Sequence, residues 1–474
     1  MSDLLTPDLC VIGAGSGGLS VAAAAAAFGA SVVLIEKSKM GGDCLNTGCV
    51  PSKALIAAAA RADNWRKAAS FGVEASRPRV DFARVHDHVH DVIAAIAPND
   101  SVARFTGLGV KVIEASARFI APDLVEAGSA QIRARRFIIA TGSHALVPPI
   151  SGLRDTPFLT NENIFDLTQC PSHLIVIGAG PIGLELAQAF LRLGAKVSVI
   201  EAAQALAKDD PECASIIIDA LREEGVTILT QTKVTDVSGV AGDISVSIET
   251  QGDKDRITGS HLLIAAGRAP TLDGLGLEAA GIIHDRRGIK VDKGLRTTNR
   301  KVYAIGDVAG GLQFTHAAND QAGLVIRNAL FRLPVNAQTR IIPWVTYTEP
   351  ELAHVGLTEA DAQKAGTDIR VLRWPYHEND RAQAEHATHG HIKIITSKRG
   401  KILGATIAGA HAGEMIALWS LAISQGLNIR AIAGTVIPYP TLSEIGKRGA
   451  ISFFSPSLTS PAIRFIIRLL RIFG

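Results

Sequence analysis

The sequence is sparing with three things: cysteine, net charge and long apolar runs. Five cysteines in 474 residues, at positions 10, 44, 49, 170 and 213, are too few to staple a secreted disulfide framework. With 48 Lys and Arg against 45 Asp and Glu, the formal net charge is +3. The chain therefore carries no global field for nucleic acid, and no basic stripe with interleaved aromatics appears in its body; small molecules are the expected partners. The amino-terminal MSDLLTPD passes straight into LCVIGAGSGG without the basic region, apolar core and cleavage site of a secretory signal, so a cytoplasmic protein is expected. One apolar run, from Leu19 to Ile35, is alanine-rich and broken by Gly29 and Ser31, which suits a buried helix followed by a strand better than a membrane span. What the chain does have is apolar residues in general: 47% of it is hydrophobic, enough for several cores, and ~150 residues per domain suggests about three domains.

Two thiols stand out against this background. GGDCLNTGCVPSKAL, residues 41–55, places Cys44 and Cys49 five positions apart. In a large chain so poor in cysteine, a close pair points to redox or metal chemistry.

The glycines are grouped as deliberately. LCVIGAGSGG is a short aliphatic stretch closed by Gly13, Gly15 and Gly18; Ala22 to Ala27 continue as helix, and SVVLIE returns as a strand ending at Glu36. In such a βαβ unit the first glycine permits the tight turn and the second lets backbone N–H groups approach a pyrophosphate at the helix N-terminus. The third permits close helix packing, and the acid at the second strand end suits a ribose hydroxyl pair. The unit then recurs: HLIVIGAGPIGLELAQAFLRLGAKVSVIE carries Gly178, Gly180 and Gly183 and ends at Glu201. Two dinucleotide sites in one chain suit a flavin and a nicotinamide held side by side for hydride transfer. FIIATGS, LLIAAGRAP and KVYAIGDVAG are further apolar strands stopped by small residues, and they read as crossings between domains. From about residue 341 the texture changes to polar alternation, consistent with a third, α+β unit.

Together these pieces resemble the flavoprotein pyridine nucleotide-disulfide oxidoreductases, the family of dihydrolipoamide dehydrogenase, glutathione reductase and mercuric reductase. The resemblance runs from about residue 7 to 450. It is carried by GGDCLNTGCVPSK, with its CxxxxC and lysine, and by AAGRAP, AIGDVAG and YTEPELAHVGLTE. It implies an α/β fold with two Rossmann-like domains and a C-terminal α+β dimerisation domain. The expected boundaries are residues 1–148 with 272–340 for FAD, 149–271 for NAD, 341–458 for the dimer interface and 459–474 for a tail.

The resemblance also implies roles. Cys49 becomes the flavin-side, charge-transfer thiol and Cys44 the interchange thiol of a redox disulfide. Lys53 and Glu185 become a pair beside the flavin. Gly13, Gly15, Gly18, Glu36, Lys37, Gly42, Thr141, Gly142, Gly306 and Asp307 fall at the FAD, with Asp307 at its ribitol chain or, more simply, as a helix N-cap. Gly178, Gly180, Gly183, Glu201 and Gly267 fall at the NAD. Glu201 favours the 2′-hydroxyl of NADH over the 2′-phosphate of NADPH, and EAAQAL offers no arginine to offset it.

One position departs from the family pattern. Its disulfide-reducing members carry a histidine five residues before a glutamate, reaching the partner subunit's interchange thiol; here IPYPTLSEIG puts Tyr439 in that place while Glu444 is kept. Tyrosine, with a pKa near 10, is a poor base at neutrality. A tyrosine here resembles mercuric reductase, but that enzyme also has a second cysteine pair near its C-terminus, and nothing after Cys213 is cysteine. The expected activity is therefore NADH-linked electron transfer through FAD and the Cys44/Cys49 disulfide to a disulfide, thiol or metal-ion acceptor. Mercuric reductase, dihydrolipoamide dehydrogenase and a redox-responsive or membrane-associated electron-transfer flavoprotein are the alternatives.

Two further patterns lie outside this scheme. His86, His88 and His90 read as a solvated helix face rather than a metal site. SPAIRFIIRLLRIFG puts Arg464, Arg468 and Arg471 on one helical stripe opposite Ile463, Ile466, Ile467, Leu470 and Phe473, an amphipathic helix expected to meet either a membrane surface or the protein's own dimer.

Overall fold

The computed structural model describes residues 4–76, 78–339, 341–458 and 460–474; the expected boundary positions Met1, Arg340 and Thr459 lie outside them. Its first sheet is parallel and five-stranded, in the order Val302–Ala304, Arg136–Ile139, Leu9–Ile12, Val32–Glu36, Lys111–Glu114. The central strands are continuous aliphatic runs because both faces of the sheet are covered. Leu9, Val11, Leu34 and Ile138 belong to one core and Cys10, Ile12, Val33, Ile35, Phe137 and Ile139 to the other. The Ser16–Ala27 helix packs on the first face against the Thr315–Ala329 helix. Small residues let the two helices approach closely, and a Cβ added at Gly17 would lie 3.3 Å from the Ala318 Cβ.

A second parallel sheet repeats the plan with four strands, Thr227–Leu229, Lys196–Ile200, His173–Ile177 and His261–Ile264. It is inserted in sequence between strands of the first. The chain leaves and returns side by side, since Ser143–Ala145 pairs antiparallel with Arg268–Pro270. The polar alternation beyond residue 341 becomes a five-stranded antiparallel sheet, Trp344–Thr346, Glu351–Gly356, Ile402–Gly409, His391–Ser397 and Ile369–Pro375, with the Ala412–Ser424 helix against it. The fold is thus mixed α/β, with two dinucleotide-type sheets and a C-terminal α+β unit.

Charged side chains, buried and paired, tie these units together. Lys393 Nζ lies 2.8 Å from Asp210 Oδ2, 2.9 Å from Glu212 and 2.8 Å from Glu359, joining the second sheet's layer to the C-terminal sheet. The Arg192 guanidinium, 3% exposed, meets Glu224 at 2.6 Å and Glu349 at 2.7 Å. His86 and His90 sit on the Phe82–Ile96 helix with ring centroids 4.1 Å apart. No group of three or more metal-type side chains is found among the described residues.

Candidate active site

Where the two parallel sheets face each other, a continuous cleft of about 1790 Å³ opens, larger than the ~300–1,000 Å³ of a single small-molecule site. Gly13, Gly15, Glu36, Lys37, Gly42, Thr141, Gly142, Gly306 and Asp307 line one part of it, and Gly178, Gly180, Glu201 and Gly267 another; Cys44, Cys49, Lys53 and Glu185 also line it. Gly18 and Gly183 do not. They work from behind, since a Cβ at either would fall within about 2 Å of the carbonyl oxygen of Gly13 or Gly178, so glycine alone allows each helix to seat on its own turn.

The two turns are built alike. The Ser16–Ala27 and Pro181–Leu193 helices start at Gly15 and Gly180, neither of which has a side-chain cap, and a Cβ at either would meet no atom within 4 Å. Their first N–H groups and the space before them are free for an anion. Glu36 Oε2 accepts from Ala14 N at 2.6 Å and Oε1 from Ser38 N at 2.8 Å; Glu201 Oε2 accepts from Ala179 N at 2.9 Å and Oε1 from Ala203 N at 2.9 Å. Each carboxylate is thereby fixed at its strand end, beside its glycine turn. Paired anion sockets and paired carboxylates fit two dinucleotides. Lys208, seven residues beyond Glu201, also lines the cleft, a basic group that EAAQAL does not include.

The cysteines lie where the loops converge. A Cβ on Gly42 would sit 2.7 Å from Gly15 Cα, so the segment carrying Cys44 rests against the first glycine turn. Cys49 is the first residue of the Cys49–Ala68 helix, where the helix dipole favours a thiolate. The Cys49 thiol is pulled down to about 6, chiefly by a hydrogen bond with Cys44, against burial and with help from Thr315 and Lys53. That same bond, together with burial, pushes the Cys44 thiol up. The two shifts run in opposite directions, which makes Cys49 the thiol that gives up its proton first. Thr315 Oγ1 lies 3.5 Å from Cys49 Sγ.

Lys53 follows Cys49 by one helical turn, on the same face. Its Nζ lies 2.7 Å from Glu185 Oε2 and 4.4 Å above the Tyr347 ring, while Glu185 Oε1 accepts from Tyr347 N at 2.9 Å. Three elements distant in sequence are closed by one buried carboxylate.

Asp307 is not a helix N-cap: that position belongs to Ile305, and Asp307 lies inside the short Gly306–Ala309 turn. Its carboxylate accepts from Ser143 Oγ, and Arg268 stands 3.9 Å away. Burial raises its pKa, opposed by those two partners. Arg268 also donates from Nε to Ser143 Oγ at 2.7 Å and pairs with Asp43 at 3.2 Å. It stands in AAGRAP, a stretch that the sequence marks as a domain crossing and a family motif without giving Arg268 itself a role. Tyr347 opens the YTEPELAHVGLTE stretch but has no role readable from it, and Thr315 has no local signal; packing brings both to the site.

Tyr439 and Glu444 do not line the cleft of their own protomer. The Tyr439 side chain is exposed, and its hydroxyl donates to Asp380 Oδ2 at 2.7 Å; that bond raises its pKa further. Glu444 opens the Glu444–Ser452 helix.

Two family models match the chain: "Pyridine nucleotide-disulphide oxidoreductase" over residues 7–322 and "Pyridine nucleotide-disulphide oxidoreductase, dimerisation domain" over residues 342–449. Mercuric reductase of Bacillus cereus is 36% identical over 450 residues, 94% of this chain and 71% of its own length. Dihydrolipoyl dehydrogenase of Bacillus subtilis (strain 168) is 36% identical over 451 residues, 94% and 95% of the two chains. Among solved structures, the Cu(II) complex of the HOCl-induced flavoprotein disulfide reductase RclA from Escherichia coli superposes with a TM-score of 0.83 at 30% identity, covering 93% of this chain and 98% of that one. The chain belongs to the pyridine nucleotide-disulphide oxidoreductases, FAD- and NAD(P)-dependent enzymes, and carries that family's dimerisation domain.

Proposed function

We propose that the protein uses NADH to reduce an acceptor through the Cys44/Cys49 dithiol, and that a small disulfide is the acceptor class. One observation carries the reading: two thiols, one of them at a helix N-terminus, lie in the same cleft as two dinucleotide sockets and the Lys53–Glu185 pair, whose carboxylate is buried. FAD and NADH, when bound, supply hydride acceptance and the two-electron relay to the cysteine pair.

The residues then divide the remaining work. Gly15 and Gly180, with the helix N-termini behind them, hold pyrophosphates, and Glu36 and Glu201 hold ribose hydroxyls. Lys53, held in place by its ion pair with Glu185, places its ammonium one helical turn from Cys49. For interchange, the Cys44 sulfur must lose its proton, and the group it already hydrogen-bonds is the Cys49 sulfur. Cys44 attacks the acceptor disulfide RSSR, forming Cys44–S–S–R and releasing one RS⁻. Cys49 attacks Cys44, closing the protein disulfide and releasing the second RS⁻. The dithiol has given two electrons, and two protons, drawn from the dithiol and solvent, end on the two thiols.

A second reading, reduction of a soft metal ion at the same thiols, draws support from Tyr439: an exposed phenol bonded to Asp380 offers little as a base but is no obstacle to metal chemistry. Steady-state NADH oxidation with glutathione disulfide, lipoamide, small asymmetric disulfides, mercuric and cupric ions and quinones separates the two. Turnover on a disulfide, lost in Cys44→Ser, supports the first reading. Turnover on metal ions alone moves the assignment to the second, and turnover indifferent to both cysteines refutes each.

A further inference from the structure

Beyond Glu444 the chain contains no Asp or Glu, while Lys447, Arg448, Arg464, Arg468 and Arg471 follow. The dimerisation-domain match stops at 449, so the last three of these cations stand on a segment outside the family's shared body. That segment folds as the Pro461–Leu470 helix and a final turn, Arg471–Phe473, and none of its residues is buried. Phe465 is 65% exposed and Phe473 81%.

At 100° per residue, Ile463, Ile466, Ile467, Leu470 and Phe473 occupy one side, and Phe465, Leu469 and Ile472 widen it until the apolar arc covers more than half the circumference. Arg464, Arg468 and Arg471 fill the narrow remainder. A helix seated on a globular surface needs an apolar stripe only somewhat over ~100° wide. An arc this broad, bordered by cations alone, matches a helix lying in a bilayer interface, with its arginines level with anionic headgroups. The helix cannot cross: ten residues at ~1.5 Å each reach about half of a ~30 Å hydrocarbon core, and no described helix is long and apolar enough to span.

We infer that residues 460–474 are an interfacial anchor that binds this enzyme to the surface of an anionic lipid bilayer. The inference is independent of which acceptor the cysteines reduce.

The test is flotation of the intact flavoprotein with vesicles of 30% phosphatidylglycerol in phosphatidylcholine, and with pure phosphatidylcholine, at low and high salt. The intact protein floats with the anionic vesicles, and its partition falls on the order of tenfold or more on neutral vesicles, in high salt, or in R464E/R468E/R471E. Deletion of 460–474 abolishes binding while flavin content and sedimentation as a dimer persist. I466D/L470D, which keeps every arginine, also loses binding, separating insertion from simple charge attraction. Failure of the intact protein to float with anionic vesicles overturns the inference, as does flotation that survives the deletion. Dissociation of the dimer on deletion, without any vesicle binding, assigns the helix to the dimer instead and overturns it as well.

Discussion

Lys53 Nζ lies 2.7 Å from Glu185 Oε2 across 132 positions of sequence, and the other oxygen of the same carboxylate accepts the backbone N–H of Tyr347. Glu185 is buried, so removing its partner leaves an uncompensated charge beside the thiols. Lys53→Met is expected to slow NADH-driven reduction of the bound flavin by roughly tenfold to a hundredfold, the scale of a misplaced reacting group, with flavin content unchanged. Stopped-flow absorbance reads it; a wild-type rate would make the pair merely structural.

The Cys49 thiolate is expected to give two-electron-reduced enzyme a long-wavelength charge-transfer band. Cys44→Ser shows such a band without reduction, and Cys49→Ser has none. A thiol held down to about 6 is deprotonated above that value, so the reduced enzyme's band is present at neutral pH and fades as pH falls through about 6. A midpoint near the ordinary thiol value of about 8.5, or two single mutants that both match wild type, would refute the assignment.

Glu201 holds a negative charge at the end of the Lys196–Ile200 strand, beside the second glycine turn. NADH is therefore expected to exceed NADPH in kcat/KM, and Glu201→Ala to narrow the ratio by about tenfold, the equivalent of ~1.4 kcal/mol. Lys208→Ala is the control for the nearby cation and leaves NADH use unchanged. Equal use of the two nucleotides by the unmodified protein would contradict the role given to Glu201.

Tyr439 is bonded to Asp380, which raises its pKa above that of an ordinary phenol. Tyr439→His is expected to raise turnover on a simple disulfide near pH 7, by up to ~10²-fold if proton transfer limits the rate. No gain, in a folded dimer, would mean that the Cys44 proton leaves by the route through Cys49.

Arg192 joins the Pro181–Leu193 helix to Glu224 and to Glu349 in the loop after Tyr347. Burial pushes the Glu349 carboxyl up, yet Lys67 and Arg192 hold it below its ordinary value. Arg192→Met is expected to cost about 3 kcal/mol, the lower end for a broken buried pair because Glu349 is half exposed. Urea denaturation measures it; a loss under ~1 kcal/mol would show that the carboxylates find water instead.

What the sequence determines by itself is local. Strand, glycine turn, helix and acid fall within one short span in LCVIGAGSGG to Glu36 and again from His173 to Glu201, and the roles of Gly18 and Gly183 follow from contacts with turns five residues away. The Cys44/Cys49 pair, and Lys53 one turn beyond Cys49, are likewise fixed by spacing along a single segment. Tertiary structure alone decides the rest. Lys53 meets Glu185 because two helices pack; Arg268 meets Asp43 and Asp307 because the chain leaves and re-enters the first domain side by side; Thr315 reaches Cys49 from 266 residues away. Tyr439 sits on a helix-connecting segment where its hydroxyl donates to Asp380, 59 positions away, and it does not line the cleft of its own protomer. Periodicity and glycine spacing encode what a chain does over one or two turns, whereas the distance between two side chains on different elements depends on how their cores pack, and no pattern of period 2 or 3.6 contains that distance.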